Sequence, residues 1–472
     1  MPKKLIFFLT MVYTSVLFAQ GATEKKEEKK EGEPEYTFFG FKNPNPPMPG
    51  LERKRRLAQR DIDKKKEGGF FTGLPLVNFD PNTGVGYGVR LFYFNNGKRG
   101  DPLFEYTPYR HQLFVQYFAT TLGWQYHWID YDAPYIFDSL FRIRTGIIFD
   151  RNINAQYYSR GTRSMKKLSV NGVEYSKFSD YTAEIRKIDV NGETHAFRNK
   201  YEYIRPTMYA SLERDLLGGI LRPQLGFQIA HFTIRDYTGK QVLAEGNQKA
   251  IQKLTLLKEE CNQGLIQGCN GGWNNTIKLG IALDTRDFEP DPNNGLFWDA
   301  VVEGAGKNTG SDFTYIRYTA AGRIYYSPIQ KIADLVLAAR GVISHMEGDL
   351  PFFAMNTLGF TAGNQSGLGG LRTLRGYKQD RFVGRTMTVA NFEVRWTFFD
   401  FNSPIGHLAF ILAPFYDVGR PFDGYQKISL NDWRSSYGAG FRIAWNQATI
   451  IIVDYGRSEE DSSLFINFNH IF

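Results

Sequence analysis

Cysteine is nearly missing from this chain, which has two in 472 residues. That excludes a disulfide-dense scaffold and a cysteine-based zinc module. Histidine is sparse as well. Its seven positions (His111, His127, His195, His231, His345, His407 and His470) are scattered, and no H-E-x-x-H pair exists, so no metalloprotease helix is encoded. Long apolar runs are lacking. Beyond the extreme N-terminus no stretch supplies the roughly 20 apolar residues of a spanning helix, which excludes a polytopic helical membrane protein. The nucleophile elbow G-x-S-x-G is missing too, because Gly363-Asn364-Gln365-Ser366-Gly367 has one residue too many. Gly304-Ala305-Gly306-Lys307-Asn308 lacks the first glycine and the hydroxyl of a phosphate loop. The expectation is a protein that is not an enzyme, with no catalytic residue, no metal and no cofactor.

Aromatic residues are abundant, at 15% of the chain, and glycine occurs 47 times, yet the mean hydropathy is only −0.37. Disordered chains are poor in aromatics. Aromatics and glycine at low hydropathy suit a β-barrel with a polar interior and, given an export signal, a transmembrane one. Such a signal is present. Lys3 and Lys4 precede an apolar run from Leu5 to Phe18, followed by Ala19, Gln20 and Gly21. The run is too short for an anchor and reads as a cleaved signal peptide over 1–20.

Residues 21–67 differ in composition. Thr23 to Glu35 is almost entirely Lys, Glu and Gly, and Asn43 to Gly50 is rich in proline. Leu51 to Lys66 is basic, with Arg53, Lys54, Arg55, Arg56, Arg60, Lys64, Lys65 and Lys66. This segment is read as disordered, with a short helix at 51–66. The basic run is expected to be a solvated tail; contact with anionic headgroups or entry into an acidic lumen are the alternatives. The net charge of +8 owes much to it and, beside an export signal, does not point to nucleic acid.

From residue 68 onward the period is two. Phe392, Val394, Trp396 and Phe398 share one face, and Asn391, Glu393, Arg395 and Thr397 the other. Ile277, Leu279, Ile281 and Leu283 alternate with polar positions that include Thr276, Lys278, Asp284 and Arg286. Tyr437, Ala439, Phe441, Ile443 and Trp445 alternate with Gly438, Gly440, Arg442 and Ala444. Sixteen strands can be placed in 68–472, each with its connection taking about 25 residues, where a membrane strand needs roughly 9–11. Short turns at Asn402–Gly406, Ser327–Gln330 and Asn446–Thr449 alternate with long connections at about 151–200, 236–273, 346–385 and 420–434. The fold class predicted is all-β: a 16-stranded antiparallel transmembrane β-barrel with short periplasmic turns and long extracellular loops. Cys261 and Cys269, eight apart in one long loop, are expected to form a disulfide in an oxidising compartment. The final strand puts Leu464, Ile466, Phe468, His470 and Phe472 on one face. An alternating strand ending in Phe resembles the C-terminal signal of outer-membrane barrels, with His470 departing from its apolar preference.

Six motifs in order resemble the BamA-like superfamily of outer-membrane barrels, also called the bacterial surface antigen family. Leu374-Arg375-Gly376-Tyr377 resembles the Arg-Gly-aromatic signature of that family's long sixth extracellular loop. Asp284-Thr285-Arg286-Asp287, followed by Pro290 and Gly295, resembles its mid-barrel motif, and Phe415-Tyr416-Asp417-Val418-Gly419 its thirteenth-strand motif. Gly438-x-Gly440-x-Arg442 and Asp454-Tyr455-Gly456 are similar to the next two strands. Pro75 with Thr83-Gly84-Val85-Gly86-Tyr87-Gly88 is similar to the first hairpin. The resemblance implies that the loop folds into the lumen and that Glu393 and Asp417 are the acidic partners of Arg375. Gly376 would allow a tight turn and Tyr377 would pack on the inner wall. Asp284, Arg286 and Asp287 are read as a lumen salt-bridge network rather than a substrate site.

The family includes barrel-assembly proteins and two-partner secretion transporters, which carry polypeptide-transport-associated (POTRA) domains of about 75 residues each. Only about 50 residues lie between the signal and the barrel here, so a barrel-only member is expected. The resemblance implies assisted insertion or translocation of proteins or lipids across the bacterial outer membrane through a lateral seam. The alternatives are a passive pore and a structural surface barrel with partner-binding loops. Expected partners are outer-membrane lipid or lipopolysaccharide and an unfolded protein client; the oligomeric state, monomer or homodimer, stays open.

Overall fold

The computed structural model describes residues 43, 46–54, 56–57, 59–289, 291–329, 334–403, 406–445 and 449–472. The expected signal peptide and the Lys/Glu-rich part of the N-terminal segment lie outside them.

Sixteen strands form one antiparallel sheet closed on itself. They are β1 (Gly69–Asp80), β2 (Gly84–Asn95), β3 (His111–Thr120), β4 (Trp124–Ala133), β5 (Phe141–Gln156), β6 (Lys200–Arg214), β7 (Leu221–Asp236) and β8 (Thr276–Asp284). Then follow β9 (Gly295–Ala305), β10 (Tyr315–Tyr326), β11 (Asp334–Gly348), β12 (Thr386–Ser403), β13 (Gly406–Phe422), β14 (Arg434–Trp445), β15 (Thr449–Ser458) and β16 (Ser462–Phe468). Each pairs with its sequence neighbours, and β1 meets β16. A short piece, Gly271–Trp273, extends the β8 side of the ladder against β7.

Period-two sequence becomes a two-faced wall. On β12, Phe392, Val394, Trp396 and Phe398 are exposed, while Asn391, Glu393 and Arg395 are buried. On β14, Tyr437 and Phe441 are exposed and Arg442 is buried. A soluble protein would bury the apolar face; only a lipid surround makes this arrangement favourable. Among the described residues no helix is long and apolar enough to cross a membrane.

One end of the barrel carries the long connections. Segments 157–199 and 237–275 fold together there: Glu193–Thr194 pairs in parallel with Lys249–Gln252, which pairs with Gln241–Leu243. A helix, Leu256–Asn262, is capped by the Thr255 side chain, which accepts from the Lys258 amide. Its Glu260 accepts from the Tyr157 and Ser159 hydroxyls at 2.5 Å. Beneath lies an apolar cluster that includes Tyr201, Phe232, Phe352 and Phe353.

The other end carries the short turns, and here the sequence expectation and the structure differ. Within 51–66 the helix covers only Gln59–Lys64. The described residues on either side of it are no solvated tail but a strap across three turns. Leu51 is fully buried with Leu103 and Tyr135. The Arg53 amide donates to Gly218 O at 2.8 Å, and the Leu57 amide to Glu105 O at 2.8 Å. Arg56 pairs with Glu105 at 2.5 Å, and Lys65 Nζ donates to Thr107 O at 2.7 Å. Met48 and Leu51 supply apolar anchors at the start of the basic run, and the turn 215–220 offers Gly218 O to the Arg53 amide.

Candidate functional site on the inner wall and at the seam

Arg375 lies in the connection 349–385 and reaches the inner wall. Its Nε and Nη2 donate to the two carboxylate oxygens of Asp417 at 2.9 and 2.8 Å. Its Nη1 donates to Glu393 at 2.7 Å and to Asp454 at 2.9 Å. The guanidinium stacks 3.4 Å from the centroid of the Phe415 ring. The forked, always-charged guanidinium suits a bidentate carboxylate. β12, β13 and β15 each bring one acid to this point because their polar positions share the inward phase.

The same acids hold two more arginines. Arg442 donates to Asp454 at 2.5 Å and to Glu393 at 2.9 Å, and Arg395 Nε donates to Glu393 at 2.9 Å. Arg375, Arg442, Glu393, Asp417 and Asp454 are completely enclosed, and Arg395 nearly so. Three cations face three anions, so the cluster is neutral as a whole. Asn391 ties it to the connection by donating to Asp417 at 2.8 Å and to Thr373 O at 2.7 Å.

Gly376 has φ +131, and a Cβ there would lie 2.7 Å from the backbone of Arg457. Only glycine combines that dihedral with that approach. Tyr377 is buried edge-on against Phe382, with ring centroids 4.9 Å apart, and Leu374 is buried in the same cluster. Asp454 and the two extra arginines went unassigned in the sequence reading. Their signal was available: Asp454 begins a quoted motif and Arg442 ends one, both on the polar face.

Asp284 and Arg286 meet at the short-turn end. Arg286 Nε and Nη2 grip Asp284 at 2.8 Å each, and Arg222 joins at 2.7 Å. Asp287 sits in the following turn, where Oδ1 accepts from the amides of Phe288 and Asn293 at 2.9 and 3.0 Å. Cys261 and Cys269 are joined, with Cα atoms 6.1 Å apart.

The last residues depart from the alternation. β16 stops at Phe468, and Asn469 adopts a left-handed φ of +65, which turns the chain off the strand. His470 is buried rather than lipid-facing. His470 Nε2 lies 2.9 Å from Asp291 Oδ1, and Nδ1 accepts from Arg442 at 3.2 Å. Arg395 Nη2 donates to Phe472 O at 3.0 Å. The acid cluster therefore touches both the connection 349–385 and the end of β16.

β1 runs beside β2 from Gly69↔Asn95 to Asp80↔Gly84. Beside β16 it registers at Phe79↔Ile466 alone among the described residues. The barrel closes there by its weakest join.

Apolar side chains turned to lipid and ion pairs turned inward make this chain an outer-membrane β-barrel. Within that class it belongs to the Omp85 superfamily, whose domain model matches residues 101–460. A domain of unknown function, DUF5982, matches residues 48–110, the span that contains the strap, β1, β2 and the first of the three turns the strap crosses. Among solved structures the chain resembles BamA from Haemophilus ducreyi lacking POTRA domains 1–3, at 12% identity and a TM-score of 0.51, over 86% of this chain and 70% of that one. CdiB from Escherichia coli gives 10% identity and a TM-score of 0.49, over 89% and 70%. CdiB from Acinetobacter baumannii gives 12% and 0.44, over 86% and 60%. At 12% identity the likeness to BamA speaks to the fold alone. No curated protein matches the chain.

Proposed function

We propose that this protein is a bacterial outer-membrane barrel, exported by its signal peptide, that assists insertion or translocation of protein clients through the join between β1 and β16. The long-loop end faces outward, the short-turn end faces the periplasm, and no catalysis is involved. The observation that carries this reading is the single registered pair Phe79↔Ile466. Unpaired backbone groups at membrane depth cost several kcal/mol each. An edge that is left unpaired is a template for an added strand. Membership in a superfamily that includes barrel-assembly proteins and secretion transporters supports the same reading, with an unfolded outer-membrane or secreted protein as client.

The test is a covalent lock. Phe79→Cys with Ile466→Cys would bridge the join. The locked protein should lose any acceleration of client folding in liposomes and regain it on reduction, with the wild type reduced in parallel as a control for Cys261–Cys269. Undiminished acceleration by the locked barrel would refute the seam. One observation favours a second reading, a surface barrel with partner-binding loops: segments 157–199 and 237–275 share a sheet. Binding of that protein to whole cells, lost when those loops are shortened, would support it.

A further inference from the structure

At the long-connection end a cavity of about 150 Å³ lies between the inner wall and the connection 349–385. An engineered apolar cavity of about that volume admits a benzene ring, so one six-membered ring fits here. The connection supplies one side through a small hairpin, Thr357–Phe360 paired with Gly363–Ser366. The wall supplies the other: Asn152 lies on the inward phase of β5, and Tyr201, Tyr203 and Arg205 lie on that of β6. The β5–β6 register slips between Asn152 and Ala155, a bulge of the kind that re-aims side chains beside functional sites.

The lining is mostly neutral and polar. Eight of its side chains are Asn or Gln, and an amide both donates and accepts. Its two charged side chains are engaged. Arg205 donates to Asp150 at 2.5 Å. Asp380 accepts from the Gly367 amide at 3.0 Å, and burial pushes its carboxyl up to about 7. Three other lining side chains keep an oxygen with no hydrogen-bond partner among the described residues: Asn356 Oδ1, Gln365 Oε1 and Thr83 Oγ1. Asn356 and Thr83 are more than nine-tenths buried. A buried polar atom without a partner is costly, and these oxygens call for donors. Tyr201, Phe232 and Phe353 line the same cavity, with the last two rings stacked at 3.9 Å between centroids. A pyranose carries hydroxyl donors around its rim and C–H groups on its faces, which matches amide oxygens beside aromatic rings.

We propose that this cavity is a saccharide-binding site that takes one neutral pyranose unit of a glycan. Because the hairpin of the connection forms one side, an occupied site holds the connection 349–385 against β5 and β6. The inference goes beyond the proposed function and stands without it. A free glycan and the sugar chain of a lipopolysaccharide offer the same chemistry, and the test separates them.

The test is saturation-transfer NMR on the full protein in nanodiscs. The probes are the methyl glycosides of glucose, galactose, mannose and N-acetylglucosamine, with glucuronate and glucosamine as charged comparators. The proteins are wild type, Gln365→Leu and Thr83→Val. Each substitution removes an oxygen that has no protein partner, so both variants should fold and melt as the wild type does. At least one neutral glycoside should bind the wild type, and the charged comparators at least tenfold more weakly. Both variants should lose at least tenfold in affinity for that glycoside, and the glycoside should slow proteolysis of the connection 349–385 in the wild type alone. Lipopolysaccharide with a neutral O-chain is then added as competitor beside lipopolysaccharide without one. Competition by the first alone assigns a lipid-linked glycan, and competition by neither assigns a free one. No glycoside signal above that of empty nanodiscs, equal binding of the charged comparators, or unchanged binding by two folded variants would overturn the proposal and leave a cavity that holds water only. Should one variant fail to fold, the other decides.

Discussion

Arg375 Nη1 lies 2.7 Å from Glu393 Oε1, and both side chains are sealed from solvent. Glu393 also receives Arg442 and Arg395, and those two arginines reach His470 and Phe472. One carboxylate thus stands between the connection 349–385 and the end of β16. Any movement of that strand end must disturb this charge cluster.

Arg375→Ala leaves Asp417 and Glu393 short of a cation in a dry site. Breaking one partner out of a buried ion network costs about 3–5 kcal/mol. The connection 349–385 should become protease-sensitive and the barrel should melt earlier. Arg375→Lys should recover only part of this, because an ammonium cannot grip Asp417 with two parallel donors. Limited proteolysis and heat-modifiable mobility check both.

Leu51→Ala should release the strap. Deleting a fully buried leucine costs about 2–5 kcal/mol, as much as the strap's few hydrogen bonds supply at about 0.5–1.5 kcal/mol each. Tryptic cleavage after Arg53 and Lys54 should become fast while the barrel itself stays folded. A strap equally protected in the variant would show that Leu51 is no anchor.

Docking of the strap should depend on pH through Lys65. Burial pushes its ammonium down to about 8 from the usual 10.5. Between those values the undocked strap holds a proton that the docked one releases, so docking strengthens as pH rises from 8 to 10.5. Protection of the strap, measured against a free peptide at each pH, should increase over that interval. Lys65→Met should abolish the dependence.

Cys261→Ser with Cys269→Ser should act locally. Closing so short a loop contributes about 2–3 kcal/mol by chain entropy. The segment 237–275 should become cleavable, while the melting of the barrel, held by its strand ladder, should not move.

The wall of the barrel was legible because alternation is a property of neighbouring residues: Phe392, Glu393, Val394 and Arg395 declare their faces without reference to anything distant. Which inward polar residues meet was less legible. Glu393 and Asp417 were named from resemblance, but Asp454 and Arg442 sit on later strands, and barrel register decides that they reach Arg375. The inward turn of His470–Phe472 hangs on one left-handed residue, Asn469, which a period-two pattern cannot signal. The strap was hidden because its receptor comprises turns 96–110, 134–140 and 215–220, far away in sequence, and because eight basic residues mask one buried leucine.

The proposed role of this barrel is to help client proteins into or across a membrane. The most direct measurement places the purified protein in liposomes, adds an unfolded outer-membrane barrel, and follows its folding by heat-modifiable gel mobility. Empty liposomes and Arg375→Ala run alongside. Client folding should be faster with the wild type than with either control. Client folding no faster than in empty liposomes, with the protein itself demonstrably folded, would contradict it.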